Sequence, residues 1–174
     1  MDTIKPEVYI TQEDELWDER IPQKETYSQE VIETGINYVK QHDDLSFLPP
    51  NKTLIINLCL SNDEQIHKLN KEFRKMDKAT NVLSFANIDD ENFAQECQLF
   101  EEIELGDIII ARETLEREAQ EKGISFKNHY SHLLVHGILH LLGFDHQDDD
   151  EAEYMEDFER KILNILKIDD PYKD

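Results

Sequence analysis

The sequence predicts an α+β fold, a small twisted sheet packed against helices, in a single domain spanning residues 1–174. Three observations carry that reading. Short runs with strand periodicity alternate irregularly with longer runs of helical periodicity. No segment repeats another. A chain of 174 residues with 39% hydrophobic content suffices for one core, and no break in composition marks a second.

Residues 1–27 read as a polar, acidic N-terminal extension, in which Val8 to Ile10 form an edge strand and the rest is loosely ordered. An amphipathic helix follows over 28–42, because Ile32, Gly35, Ile36 and Val39 recur on one face. Pro49-Pro50 end that unit. Thr53 to Leu60 is a strand, with Leu54, Ile56, Leu58 and Leu60 alternating onto one side. Ser61 and Glu64 make a capping box that opens the next helix. That helix buries Ile66, Leu69 and Phe73. Asn81 to Ala86 is a further strand.

Residues 87–104 carry Asp89, Asp90, Glu91, Glu96, Glu101, Glu102 and Glu104, and neither Lys nor Arg. They read as a solvated loop with at most one short helix around Phe93 to Phe100. LGDIIIA, from Leu105 to Ala111, is the last strand. Helices then cover 112–123, with Gly123 just past the end, and 125–142, capped by Ser125 and stopped at Gly143. The last helix, over 151–166, turns Met155, Phe158, Ile162 and Leu166 inward. The sum is about four strands and about five helices.

Charge narrows the function. With 40 acidic against 18 basic side chains the net charge is −22, which opposes non-specific binding of a polyanion. Any RNA partner must meet a local basic patch. Two cysteines, Cys59 and Cys97, make no disulfide framework and fit a reducing cytoplasm. The N-terminus has neither the basic start nor the apolar run of a signal peptide. The most apolar stretch, Leu133 to Phe144, is broken by His136 and His140 and falls short of the ~20 residues a membrane span needs. The chain reads as soluble and cytoplasmic, with no membrane partner.

Chemistry concentrates in SHLLVHGILHLLGFDH, residues 131–146. His136 and His140 are four apart on one helix, so their imidazoles share a face one turn apart. Gly143 lets the chain leave the helix and turn back, so that His146 can return to the same point. Three neutral imidazoles with one open position are a catalytic zinc arrangement. We therefore expect one Zn²⁺ per chain. The spacing is that of the H-E-x-x-H-x-x-G-x-x-H metzincin pattern, with one difference. Gly137 stands where the peptidase has its general-base Glu, so peptide hydrolysis is not the expected chemistry. His132 and His129 lie further back on the same helix and read as supporting or packing residues, since a fourth protein ligand would close the site. Asp145 is a candidate acceptor for one imidazole, or else a residue of the turn that leaves the helix.

The basic patch is KLNKEFRKMDK, residues 68–78, where Lys68, Lys71, Arg74, Lys75 and Lys78 outnumber Glu72 and Asp77. A guanidinium there could grip a phosphate with two hydrogen bonds and stabilise charge developing on it. Taken together, LNKEFRKMDKATNVLSF, LGDIII and HLLVHGILHLLGFDH resemble the YbeY family of bacterial metal-dependent endoribonucleases. The resemblance covers residues 54–86 and 105–166. Met76 and Ala79 depart from it, standing where the family often has Lys and Pro.

That resemblance implies a mixed sheet of about four strands and a metal-bearing cleft. It implies His136, His140 and His146 as zinc ligands and Arg74 as the arginine facing the cleft. Ser84 and Asp107, in matching motifs, are expected to shape the cleft. Lys71, Lys75 and Lys78 are candidates for RNA phosphates. The implied activity is single-strand-specific endoribonuclease action in rRNA maturation, at the 3′ end of 16S rRNA, and in ribosome quality control. The implied partners are rRNA and the small ribosomal subunit, with basic ribosomal proteins and a ribosome-assembly GTPase beside them. Two other readings fit the residues: a zinc-stabilised assembly factor without catalysis, and a metal hydrolase of a small phosphate ester or amide.

Overall fold

A computed structural model of the chain describes residues 3–43, 45, 48 and 51–173. Four strands form one sheet: β1 (Glu7–Gln12), β2 (Thr53–Ser61), β3 (Val82–Ala86) and β4 (Glu102–Ala111). Their order is β1-β2-β4-β3, with β1, β2 and β4 parallel and β3 antiparallel to β4. The sheet is therefore mixed, and β1 lies on its edge as expected. Strand alternation sends Ile56, Leu58 and Leu60 of β2 and Ile108 and Ile110 of β4 into the main core. Leu83, Ile109 and Ala111 face the other way and form a smaller cluster with Ile66. The register between β2 and β4 slips at Ile55/Ile56, where Leu105 is the extra residue. Gly106, at φ +139°, absorbs that slip; a Cβ there would lie 2.1 Å from the Phe85 carbonyl oxygen.

Seven α-helices are present among the described residues, where sequence periodicity indicated about five. They are α1 (Trp17–Arg20), α2 (Lys24–His42), α3 (Asp63–Arg74), α4 (Phe93–Leu99), α5 (Arg112–Lys122), α6 (Phe126–Leu141) and α7 (Asp149–Ile165). A 3₁₀ turn covers Asn87–Asp89. The helix α1 was not expected, being too short for a 3.6-residue period to show, whereas α4 falls where the sequence allowed one short helix around Phe93 to Phe100. The proposed stop at Pro49-Pro50 lies outside the described residues.

The described part of the N-terminal extension packs onto the core. Trp17 is wholly buried, and its indole N–H donates to the Ser61 carbonyl at 2.9 Å. Phe126 and Tyr130 meet it edge-on, each 5.6 Å between centroids. An indole buries roughly 150–250 Å², worth about 4–6 kcal/mol at ~25 cal/mol per Å², which offsets the cost of ordering the short acidic segment around it. Arg112 also ties Asp14 down at 2.7 Å.

Two further expectations need correction. The cap of α3 is Asn62, whose side chain accepts from the Gln65 N–H, one residue later than the proposed Ser61. Ser61 is instead the last, buried residue of β2. On α3 only Ile66 and Asn70 are buried; Leu69 is half-buried and Phe73 is 58% exposed. The short helix expected in the acidic 87–104 segment is α4, which Phe93 and Cys97 anchor in the core, and β4 begins at Glu102, three residues before the expected Leu105.

Helix α6 positions the site. It is buried along most of its length, starts at the Ser125 cap and packs on the sheet and on α2, α5 and α7. Close approach to β4 occurs at Gly137, where a Cβ would come within 3.0 Å of the Ile108 side chain. Gly143, at φ +101°, then turns the chain out of the helix toward His146.

Candidate metal centre

The three histidines of the sequence motif converge. His136, His140 and His146 each offer a ligand atom within 4.8 Å of the others. The first two are half-buried on α6, and His146 is exposed on the turn behind it. His136 Nδ1 lies 3.0 Å from Glu159 Oε2, and His140 Nδ1 lies 3.0 Å from the Phe144 carbonyl oxygen. A carboxylate and a carbonyl only accept, so both Nδ1 atoms carry the protons. The two Nε2 atoms then turn bare lone pairs toward each other across 3.1 Å.

Such an arrangement needs a positive charge between the rings. Ligand nitrogens ~2.0–2.1 Å from a tetrahedral ion sit roughly 3.3 Å apart, close to the separation here. The donor set therefore fits a divalent ion. Burial, and then the neighbouring His136 and His146, lower the His140 pKa to about 4, which keeps its imidazole unprotonated and able to ligate at neutral pH.

Behind the ligands sits a group that the sequence reading missed. Glu159, on α7, is fully buried and bridges His136 and His132. Burial alone would raise its pKa, but the hydrogen bonds from His132 and His136 outweigh burial and hold it at about 2. A signal was present: Glu159 falls on the same helix stripe as Met155, Phe158 and Ile162, an acid on an apolar face. His132 lies in this supporting position and is not part of the convergent set. His129 bonds Glu118 at 2.8 Å, away from the ligands.

A cleft of about 720 Å³ opens over the histidines. Arg74, Lys78 and Ser84 line it together with His136, His140, Asp145 and His146. The Arg74 guanidinium donates to the Ser84 carbonyl oxygen at 2.7 Å and stands 5.3 Å over the Phe85 ring. One donor of its fork is thereby fixed, and the remainder is left for an anion. Lys71 and Lys75 are exposed outside the cleft lining; Lys71 lies 4.0 Å from Asp77 and Lys75 donates to the Glu72 carbonyl oxygen.

One expectation is corrected. Asp107 does not line this cleft. Strand alternation puts it opposite Ile108, in a separate hollow with Asn57, Cys59 and Phe85. Of the two readings of Asp145 the turn is the one found: its Oδ1 accepts from the His146 main-chain N–H at 2.7 Å, at the edge of the cleft.

Known proteins of one description resemble the chain over most of its length. The family model described as Endoribonuclease YbeY matches residues 12–167. A protein of that description from Agrobacterium fabrum is 43% identical over 146 residues, covering 84% of this chain and 83% of its own length. Another, from Zymomonas mobilis subsp. mobilis, is 51% identical over 120 residues, 68% of each chain. The solution structure of TM1509 from Thermotoga maritima shares the fold, with a TM-score of 0.50 at 20% identity over 96% of this chain and 99% of that one.

Proposed function

The chain belongs to the endoribonuclease YbeY family, and from that premise we propose that it is a zinc-dependent endoribonuclease that cuts rRNA during its maturation. The observation that carries the proposal is the meeting of three imidazoles and an arginine in one cleft. When bound there, Zn²⁺ supplies an acidified water, its pKa lowered to about 7, and polarises a phosphoryl oxygen.

The chain's own residues do the rest. His136, His140 and His146 would hold the ion. Arg74 binds the non-bridging oxygens of the scissile phosphate, and its fixed plane favours the geometry in which charge builds up. Lys78, further along the same cleft, takes a neighbouring phosphate. Gly137 packs against Ile108, so the residue that follows His136 in the chain offers no carboxylate to serve as the base of a peptidase. Substrate RNA meets Arg74 and Lys78 in the cleft and is repelled by most of the remaining surface, given the net charge of −22. That selects for a strand threaded into the cleft.

We place the activity in the cytoplasm, on rRNA of the small ribosomal subunit. The acidic surface suits basic ribosomal proteins as docking partners, with an assembly GTPase as a further one. No helix among the described residues is long and apolar enough to cross a membrane.

The test is the set of mature rRNA ends in cells with and without this protein. Depletion should leave 16S rRNA extended at its 3′ end, and re-expression should restore the mature end. Identical ends in both cells would contradict the proposal.

A further inference from the structure

We propose that Glu159, clamped by Tyr172 of the C-terminal segment and by His132, is the positioning residue that sets His136 for metal binding. The proposal rests on the metal reading above. Glu159 comes from α7, which carries none of the three ligands, and its carboxylate is wholly out of water. A buried charge persists only when hydrogen bonds compensate it. Three are present. His136 Nδ1 donates to Oε2 at 3.0 Å, and His132 Nε2 and the Tyr172 hydroxyl each donate to Oε1 at 2.6 Å.

The far side of His132 shows where its proton lies. His132 Nδ1 is buried and has no hydrogen-bond partner among the described residues. A proton there would be an orphaned donor, so the ring's proton sits on Nε2 and is given to Glu159. The Tyr172 hydroxyl donates to the same carboxylate oxygen. Oε2 is thus left for His136 alone. It fixes that ring's tautomer and aims Nε2 into the site, as carboxylates behind metal-bound histidines do.

The clamp is itself pinned. Arg160 holds Asp170 at 3.3 Å and lies 5.2 Å over the Tyr172 ring. Tyr172 stands edge-on to His132, 5.3 Å between centroids. A segment remote in sequence from the histidine motif therefore reaches the metal centre through one hydroxyl and one carboxylate.

The experiment measures zinc affinity of the full chain by chelator competition at fixed pH, for the wild type, Glu159→Gln and Tyr172→Phe. Glu159→Gln keeps the side chain's size but removes its charge, and should weaken binding roughly 10–100-fold. Tyr172→Phe should weaken it about 3–10-fold, the equivalent of one hydrogen bond. Thermal melts of the metal-free proteins should stay within a few degrees, which separates positioning from a folding defect. Zinc affinity of Glu159→Gln equal to wild type overturns the proposal. If Glu159→Gln fails to fold, Tyr172→Phe decides, and an unchanged affinity overturns it. A wild-type chain that binds no zinc overturns the metal reading itself.

Discussion

His140→Ala is expected to strip the chain of its metal, from close to one ion per chain to almost none, and to abolish RNA cleavage with it. His140 is the middle ligand: its Nε2 faces that of His136 at 3.1 Å, and its Nδ1 is tied to the Phe144 carbonyl. Without it two imidazoles remain, one of them on the exposed turn, and neither closes a site alone. The fold should survive. His140 is only half-buried, and Ala is the best helix former for its place on α6. Metal analysis and circular dichroism of the purified variant check both halves. Unchanged metal content would remove the site as described. A folded, metal-free variant that still supports rRNA maturation would select the assembly-factor reading over the enzyme.

Arg74→Glu should lower RNA cleavage by about 100-fold or more while metal content stays at the wild-type level. The residue ends α3, lines the cleft together with the α6 histidines, and gives its hydrogen bond to Ser84, not to a ligand. Reversing its charge removes the phosphate's partner and adds repulsion in its place. Arg74→Lys should recover only part of the activity, because an ammonium keeps the charge and loses the planar fork. Single-turnover cleavage of a short unstructured RNA, run beside metal analysis, measures the split. Wild-type cleavage by Arg74→Glu would show that the arginine does not touch the reacting phosphate.

The metal ligands were legible because their spacing is local. Residues four apart on a helix and a glycine where the chain must turn place three rings without knowledge of the rest of the fold. The strands were legible for the same reason, since alternation in 53–60 and in 105–111 has a period that a short window detects. Glu159 was not, because its partner His136 is 23 residues away and nothing local links them. Trp17 was not, because one aromatic in an acidic run has no period, and the acceptor of its indole N–H, the Ser61 carbonyl, is 44 residues on. Asp107 was misplaced although the signal was available. It adjoins Ile108 on a strand, and adjacent strand residues face opposite sides. Applying that rule would have moved it out of the cleft.

Function depended on a different kind of reading. The net charge of −22 weighs against RNA, and the total hides the patch that matters. The end of α3 and the turn after it bring Arg74 and Lys78 to the histidines, so that two cations offset Asp89 and Asp145 in the cleft lining of an otherwise acidic molecule. Electrostatics at a site follow the charges within about one Debye length, roughly 8–10 Å at physiological salt, more than the sum over the chain.

The most direct test of the central claim is X-ray absorption at the zinc edge of the metal-loaded protein. Three histidine nitrogens at ~2.0–2.1 Å and one oxygen from solvent are the expected shell. Four ligands from the protein, or fewer than three imidazoles, would contradict it.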